Sequence, residues 1–223
     1  MIDKNKIIAH RGIHDSYIVE NTLLAFLKAV EKGYAIELDV RLLKDDVIVV
    51  YHDFNLQRLT GINKLIESCT LKDISNIKIN DKYYIPTLEQ VLKLVDGKVP
   101  IYIDVKGNIG NYKLEEILLD LLKEYRGEIF IQSFNPKTIR WLRKKESRYK
   151  YGLITFNYPQ YNILKKLFIH LQVDFIVCYI KNISDKRLQK IRKNKILIGW
   201  TIKKYSEIVK YQPFVDKFIC ENI

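Results

Sequence analysis

Short β-branched runs alternate with helix-forming stretches along this chain, and that rhythm constrains the fold more than any other feature. The strand candidates are KIIAH (6–10), YAIELDV (34–40), VIVVYH (47–52), PIYIDVK (100–106), EIFIQSF (128–134), YKYGLIT (149–155), DFIVCYI (174–180), ILIGWTI (196–202) and KFICEN (217–222). Between most of them lie helical patterns. NTLLAFLKAVEKG (21–33) opens on Asn21 as an N-cap and stops at Gly33. PTLEQVLKLVDG (86–97) has Pro near its first turn, and YKLEEILLDLLKEYRG (112–127) has a Gly stop. NPKTIRWLRKK (135–145) and SDKRLQKIRKN (184–194) each have a capping residue in front, and KYSEIVKY (204–211) is a short last helix. Repeated strand–helix alternation means a parallel sheet, and eight repeats close it into a barrel. Nine candidates therefore predict one strand outside the barrel, without saying which. Residues 53–85 are polar and weakly periodic, which predicts an insertion or long loop after the third strand of a single domain spanning 1–223.

Composition narrows the setting. With 48% hydrophobic residues in 223, the chain can bury a sizeable core. No apolar run approaches the ~20 residues of a membrane span, and Met1 to Lys6 lacks the apolar stretch of a signal peptide. Cys69, Cys178 and Cys220 are widely spaced and form no CxxC, so reduced, buried thiols in a cytoplasmic protein are expected. The net charge of +12 is uneven: residues 1–136 carry −2 and residues 137–223 carry +14. Two windows, 137–150 and 181–195, each hold seven basic residues and one acidic. Both read as amphipathic helices with Lys and Arg facing water, a solvated face. The alternative is an outer wall with weak attraction to anionic membrane or polymer. Aromatics placed for base stacking are not evident, so no nucleic-acid partner is expected.

The chemistry gathers at strand ends. Glu37 and Asp39 are two apart on one strand and so share a face, where two like charges need a cation or a basic partner. Asp104 and Lys106 repeat the pattern, His10 and Arg11 end the first strand, and His52 and Asp53 end the third. In a parallel barrel the C-terminal strand ends form the functional rim. A third strand parallel to the second would need residues 41–47 to cross from top to bottom, and seven extended residues span roughly 23 Å. A hairpin is the alternative, but it would carry His52 toward the opposite rim, so the crossover is expected. Three carboxylates suit Mg²⁺ or Ca²⁺, Arg and Lys suit a phosphate, and two histidines suit acid/base work near neutral pH. The combination predicts metal-assisted attack on a phosphate ester.

The chain also resembles a known family, the glycerophosphodiester phosphodiesterases. The matching motifs are HRG (10–12), ENTLLAF (20–26), ELDV (37–40), HD (52–53), PTLEQVL (86–92) and DVK (104–106), with weaker matches at QSFNP (132–136) and GWTIKK (199–204). The resemblance implies a TIM barrel that hydrolyses glycerophosphodiesters, small soluble molecules, to glycerol 3-phosphate and an alcohol. It implies Glu37, Asp39 and Asp104 as ligands of one divalent cation and His10 and His52 as the acid/base pair. It further implies Arg11 and Lys106 on the phosphate, Glu20 bonded to a rim residue, Asn21 as the helix cap, and Phe134 and Trp200 lining the alcohol side. In related phospholipases a neighbouring hydroxyl attacks first, and the glycerol hydroxyl is expected to do the same. Departures are Asp104 where Glu is usual, VENT for PENT, a missing Thr near Leu43, and Cys220-Glu221 for Thr-Asp. The alternatives are a membrane-surface phospholipase of the same superfamily and a catalytically silent protein that binds glycerophosphate polymers.

Overall fold

The structure is a computed structural model that describes residues 3–107, 110–156 and 172–221. Eight parallel strands close into a barrel: β1 (Ile7–His10), β2 (Ala35–Leu42), β6 (Ile101–Val105), β7 (Ile129–Ser133), β8 (Lys150–Thr155), β9 (Phe175–Tyr179), β10 (Ile196–Ile202) and β11 (Lys217–Cys220). Each pairs with its neighbours in the chain, and β1 pairs with both β11 and β2 to close the ring. Asn222, at the end of the last expected strand, lies outside the described residues. Helices α1 (Leu23–Lys32), α4 (Leu88–Val95), α5 (Lys113–Leu122), α6 (Pro136–Lys145), α7 (Lys186–Arg192) and α8 (Tyr205–Tyr211) lie between successive barrel strands.

The period-two pattern sorts each strand into two faces. Ile36, Leu38 and Val40 of β2 point outward and join Ile101, Ile103 and Val105 of β6 in the layer packed against the helices. The inward face changes character along the axis. Its lower layers are apolar, with Ile8, Ala35, Tyr102, Phe130, Phe175, Ile198 and Ile219 in one cluster. Tyr102 and Phe130 stack at 4.3 Å, and Phe175 meets both edge-on at 5.8 Å. Gly152 makes room there, since a Cβ at that position would fall 2.1 Å from the Phe175 ring. The next inward positions on β1, β2, β6 and β7 are His10, Glu37, Asp39, Asp104 and Gln132. A charged site thus rests on an aromatic floor.

The strand outside the barrel is β3 (Ile48–Val50), and the expected crossover is corrected. β2 and β3 are antiparallel, with Val40 opposite Val50 and Leu42 opposite Ile48. The hairpin still delivers His52 to the functional rim. β2 overshoots: Val40 is level with Val105, the last residue of β6, and Arg41 and Leu42 continue above it. The chain turns above the barrel and descends, and the Tyr51 N–H donates to the Asp39 carbonyl at 3.0 Å. Residues 53–85 follow as the insertion, containing α2 (Gln57–Thr60), α3 (Leu71–Ile74) and the β4 (Lys78–Ile79) and β5 (Tyr83–Tyr84) ribbon. They bury a core of their own with Leu56, Ile66, Cys69, Ile74 and Ile79 against Tyr51. All three cysteines are free and buried.

Candidate active site

The HRG turn shows how the local sequence builds the site. Arg11 and Gly12 both have left-handed backbones, at φ +57° and +81°. A Cβ on Gly12 would lie 2.7 Å from the Ala25 backbone, so only glycine lets β1 turn this tightly beneath the start of α1. The turn aims the Arg11 N–H at Glu37 Oε2 (3.2 Å) and its guanidinium at Asp39 Oδ2 (Nε, 3.2 Å) and Glu20 Oε1 (Nη1, 2.7 Å). Asn21 is not the cap of α1. It is left-handed (φ +55°), and its amide donates to Asp39 Oδ2 at 2.9 Å. Thr22 caps instead, accepting from the Ala25 N–H, because Asn21 is already turned toward the carboxylate.

Glu37, Asp39 and Asp104 are buried and bring ligand oxygens within 4.8 Å of one another. Neighbouring strand positions cause this, since Asp39 and Asp104 are register partners. Lys106 Nζ lies 3.1 Å from Asp39 Oδ1 and 2.5 Å from Asp104 Oδ2. Burial alone would raise the Asp39 pKa, but Lys106 and Arg11 override it and hold the group below the usual carboxylate range. Burial, then Asp39 and Asp104, push Glu37 well up; burial also raises Asp104 against the pull of Lys106. Asp104 Oδ1 is buried without a hydrogen-bond partner among the described residues. The all-oxygen donor set, its spacing and that spare oxygen fit a hard divalent cation, whose opposite ligands stand roughly 4–5 Å apart.

Both histidines are oriented by carboxylates. His10 Nδ1 is 2.7 Å from Glu221 Oε1, and His52 Nδ1 is 2.7 Å from Asp53 Oδ1. A carboxylate can only accept, so each Nδ1 carries the proton and each Nε2 is left for other work. The bond from His10 holds Glu221 down at about 2, while burial lowers His10 itself. Arg58 joins the two halves, donating to Asp53 Oδ2 (2.5 Å) and to both oxygens of Glu20 (2.7 and 3.3 Å). Arg41 lies behind His52: Nε and Nη2 donate to the His52 carbonyl at 3.0 and 2.9 Å, and Nη1 to Glu67 at 3.0 Å.

A cavity of about 310 Å³ opens over these groups, lined by His10, Arg11, Glu37, Asp39, His52, Asp104 and Lys106 together with Phe134 and Trp200. Glu20 does not line it and reaches it through Arg11. Ring centroids of Phe134, Phe156 and Trp200 lie 5.2–5.8 Å apart and form one apolar wall. Sequence reasoning missed Gln132, Phe156, Arg41, Arg58 and the partnership of Glu221 with His10. Inward phase on the strands signals Gln132, after Phe130, and Glu221, after Ile219. Nothing local signals Arg58.

The profile of the Glycerophosphoryl diester phosphodiesterase family matches residues 10–216, nearly the whole chain. The chain belongs to this family. It is similar to the glycerophosphodiester phosphodiesterase of Caldanaerobacter subterraneus subsp. tengcongensis, at 32% identity over 98% of this chain and 95% of the relative. As a member of this family it is a phosphodiesterase. Solved structures share the barrel. One is an Oleispira antarctica phosphodiesterase in complex with the product sn-glycerol-3-phosphate, with TM-score 0.88, 20% identity and coverage of 97% of this chain and 92% of that one. Another is the glycerophosphodiester phosphodiesterase of Thermotoga maritima, with TM-score 0.82, 24% identity and coverage of 97% and 94%.

Proposed function

We propose that this family member hydrolyses small glycerophosphodiesters to glycerol 3-phosphate and an alcohol, with His10 and His52 as the acid/base pair. The observation that carries this reading is the convergence of Arg11, Lys106 and both histidines on one cavity above three carboxylates. Arg11 and Lys106 neutralise and orient the phosphate, and their charge favours the extra negative charge of the transition state. With Nδ1 tied to Glu221 or Asp53, each imidazole offers Nε2 to move a proton. Glu37, Asp39 and Asp104 would hold one divalent cation, Mg²⁺ or Ca²⁺, which would act as a Lewis acid toward the phosphoryl oxygens. Phe134 and Trp200, with Phe156, line the side on which the alcohol leaves. We place the protein in the cytoplasm on its buried, unpaired thiols; among the described residues no helix is long and apolar enough to cross a membrane.

The test is glycerol 3-phosphate release from glycerophosphocholine, with and without EDTA. Release in Mg²⁺ or Ca²⁺ that EDTA abolishes is the expected result. Binding of the substrate with no metal-dependent release would point to a silent binding protein instead.

A further inference from the structure

A second group of side chains, outside the carboxylate cluster, has the makings of a metal site. His10, His14 and Glu221 each offer a ligand atom, all within 4.8 Å of one another. His10 ends β1, His14 follows just beyond the HRG turn, and Glu221 follows the last residue of β11, the strand beside β1. Glu221 Oε1 sits on His10 Nδ1, while Oε2 is held by Lys203 Nζ at 3.2 Å. The second observation is on His14, which the proposed reaction does not use. Its Nε2 is buried without a hydrogen-bond partner among the described residues. Leaving a buried polar atom unpaired is costly, and a ligand there removes the cost.

We propose that His10, His14 and Glu221 form a second cation site, selective for a nitrogen-preferring transition metal such as Zn²⁺, and that filling it switches the active site off. The two clusters differ in donor chemistry. Glu37, Asp39 and Asp104 offer only oxygen, which suits Mg²⁺ and Ca²⁺; two imidazoles and one carboxylate suit Zn²⁺. Zn–N and Zn–O bonds of about 2.0–2.2 Å put tetrahedral neighbours roughly 3.3–3.6 Å apart. The His10–Glu221 contact must open by somewhat less than roughly 1 Å, and the widest separation must close by at most about 1.5 Å.

The chemical consequence follows from the ring. Binding at His10 Nδ1 requires the other neutral tautomer: the Nδ1 proton leaves to solvent and Nε2 takes one up, with no net change in the ring's proton count. The single ring proton then sits on Nε2, which has no lone pair left to accept another. Glu221 is diverted to the metal at the same time. His10 can no longer alternate between acid and base, so turnover stops while the carboxylate cluster keeps its own cation. This part rests on the role given to His10 above; the metal site itself does not.

The experiment titrates Co²⁺, as a visible reporter for Zn²⁺, into the full chain in excess Mg²⁺. The parent protein is compared with His14→Ala and His14→Gln. The parent is expected to develop the intense visible bands of four-coordinate Co²⁺ with nitrogen ligands, and both variants should bind it roughly 10-fold or more weakly. Zn²⁺ added in excess Mg²⁺ should inhibit glycerol 3-phosphate release by the parent. The variants, with unchanged turnover in Mg²⁺ alone, should need about 10-fold more Zn²⁺ or beyond. Absence of the bands in the parent, or identical bands in both variants, overturns the site. Equal Zn²⁺ inhibition of parent and variants overturns the switch. The absorption reads the metal without substrate, so a failure of the phosphodiesterase reading leaves the binding result standing.

Discussion

A histidine with a carboxylate on Nδ1 works in one tautomer, and His10 and His52 each have that arrangement at 2.7 Å. Replacing either by Ala is expected to lower kcat by roughly 10²–10⁴, the usual worth of a positioned acid or base. The melting temperature should stay close to the parent's, because these rings serve the rim and not the core; near-normal turnover would remove that residue from the mechanism. Asp104 raises a different question, since its side chain is one methylene shorter than the Glu expected there. Register with Asp39 brings its carboxylate into the cluster despite the shorter reach. Asp104→Glu should therefore retain activity. Asp104→Ala should weaken the response to Mg²⁺ and Ca²⁺ and leave Lys106 paired with Asp39 alone. Activity titrated against each cation checks both variants, and an Ala variant with the parent's metal dependence would rule out Asp104 as a ligand.

The β2–β3 hairpin is the element that sets the height of His52. Its antiparallel pairing is short, three register pairs, and the turn has Asp46 at φ +66°. Arg41 stiffens the descending arm from inside. It is buried, spans from β2 to the His52 carbonyl with two N–H groups, and lies over the Phe54 ring at 5.1 Å. Lys cannot reproduce that fork, because its three N–H donors all radiate from one nitrogen and not from two held in a plane. Arg41→Lys and Arg41→Met are both expected to lower kcat about 10-fold or more, as small misplacements of reacting groups do, with KM little changed. An equal rise in KM, with kcat intact, would show that the hairpin serves binding and not the placement of His52.

The distribution of charge belongs to the whole molecule. The basic windows cover α6 and α7 with the residues that flank them, with Ile139, Leu142 and Leu188 buried inward and Lys144, Lys145, Lys190 and Lys193 exposed. None of these four lysines lines the cavity. Reversing these four charges should leave kcat/KM for glycerophosphocholine within a few-fold. Any binding of the parent to anionic vesicles should weaken in the variant and fall steeply with salt, as exposed charges are screened beyond about 8–10 Å. Vesicle flotation checks this, and a parent that does not float with vesicles removes the membrane-surface alternative.

Sequence alone determined the barrel and the identity of most groups in its mouth. Those signals are local: period-two alternation assigns Glu37, Asp39 and Asp104 to the inward face, and the helix stops assign the strand ends to one rim. The choice between hairpin and crossover was not local, because a short segment rich in β-branched residues reads the same in either direction. Only the overshoot of β2 beyond β6 decided it, and that overshoot exists only once the two strands are in register. Asn21 and Thr22 are adjacent capping residues, and the pull of Asp39 on Asn21 settled which one caps. Glu221 meets His10 across 211 residues and Arg58 meets Glu20 across 38. Such pairs form when the ring closes β11 onto β1 and the insertion folds back over the rim. Closure is a property of hydrogen bonding between distant strands, which no stretch of the chain carries by itself.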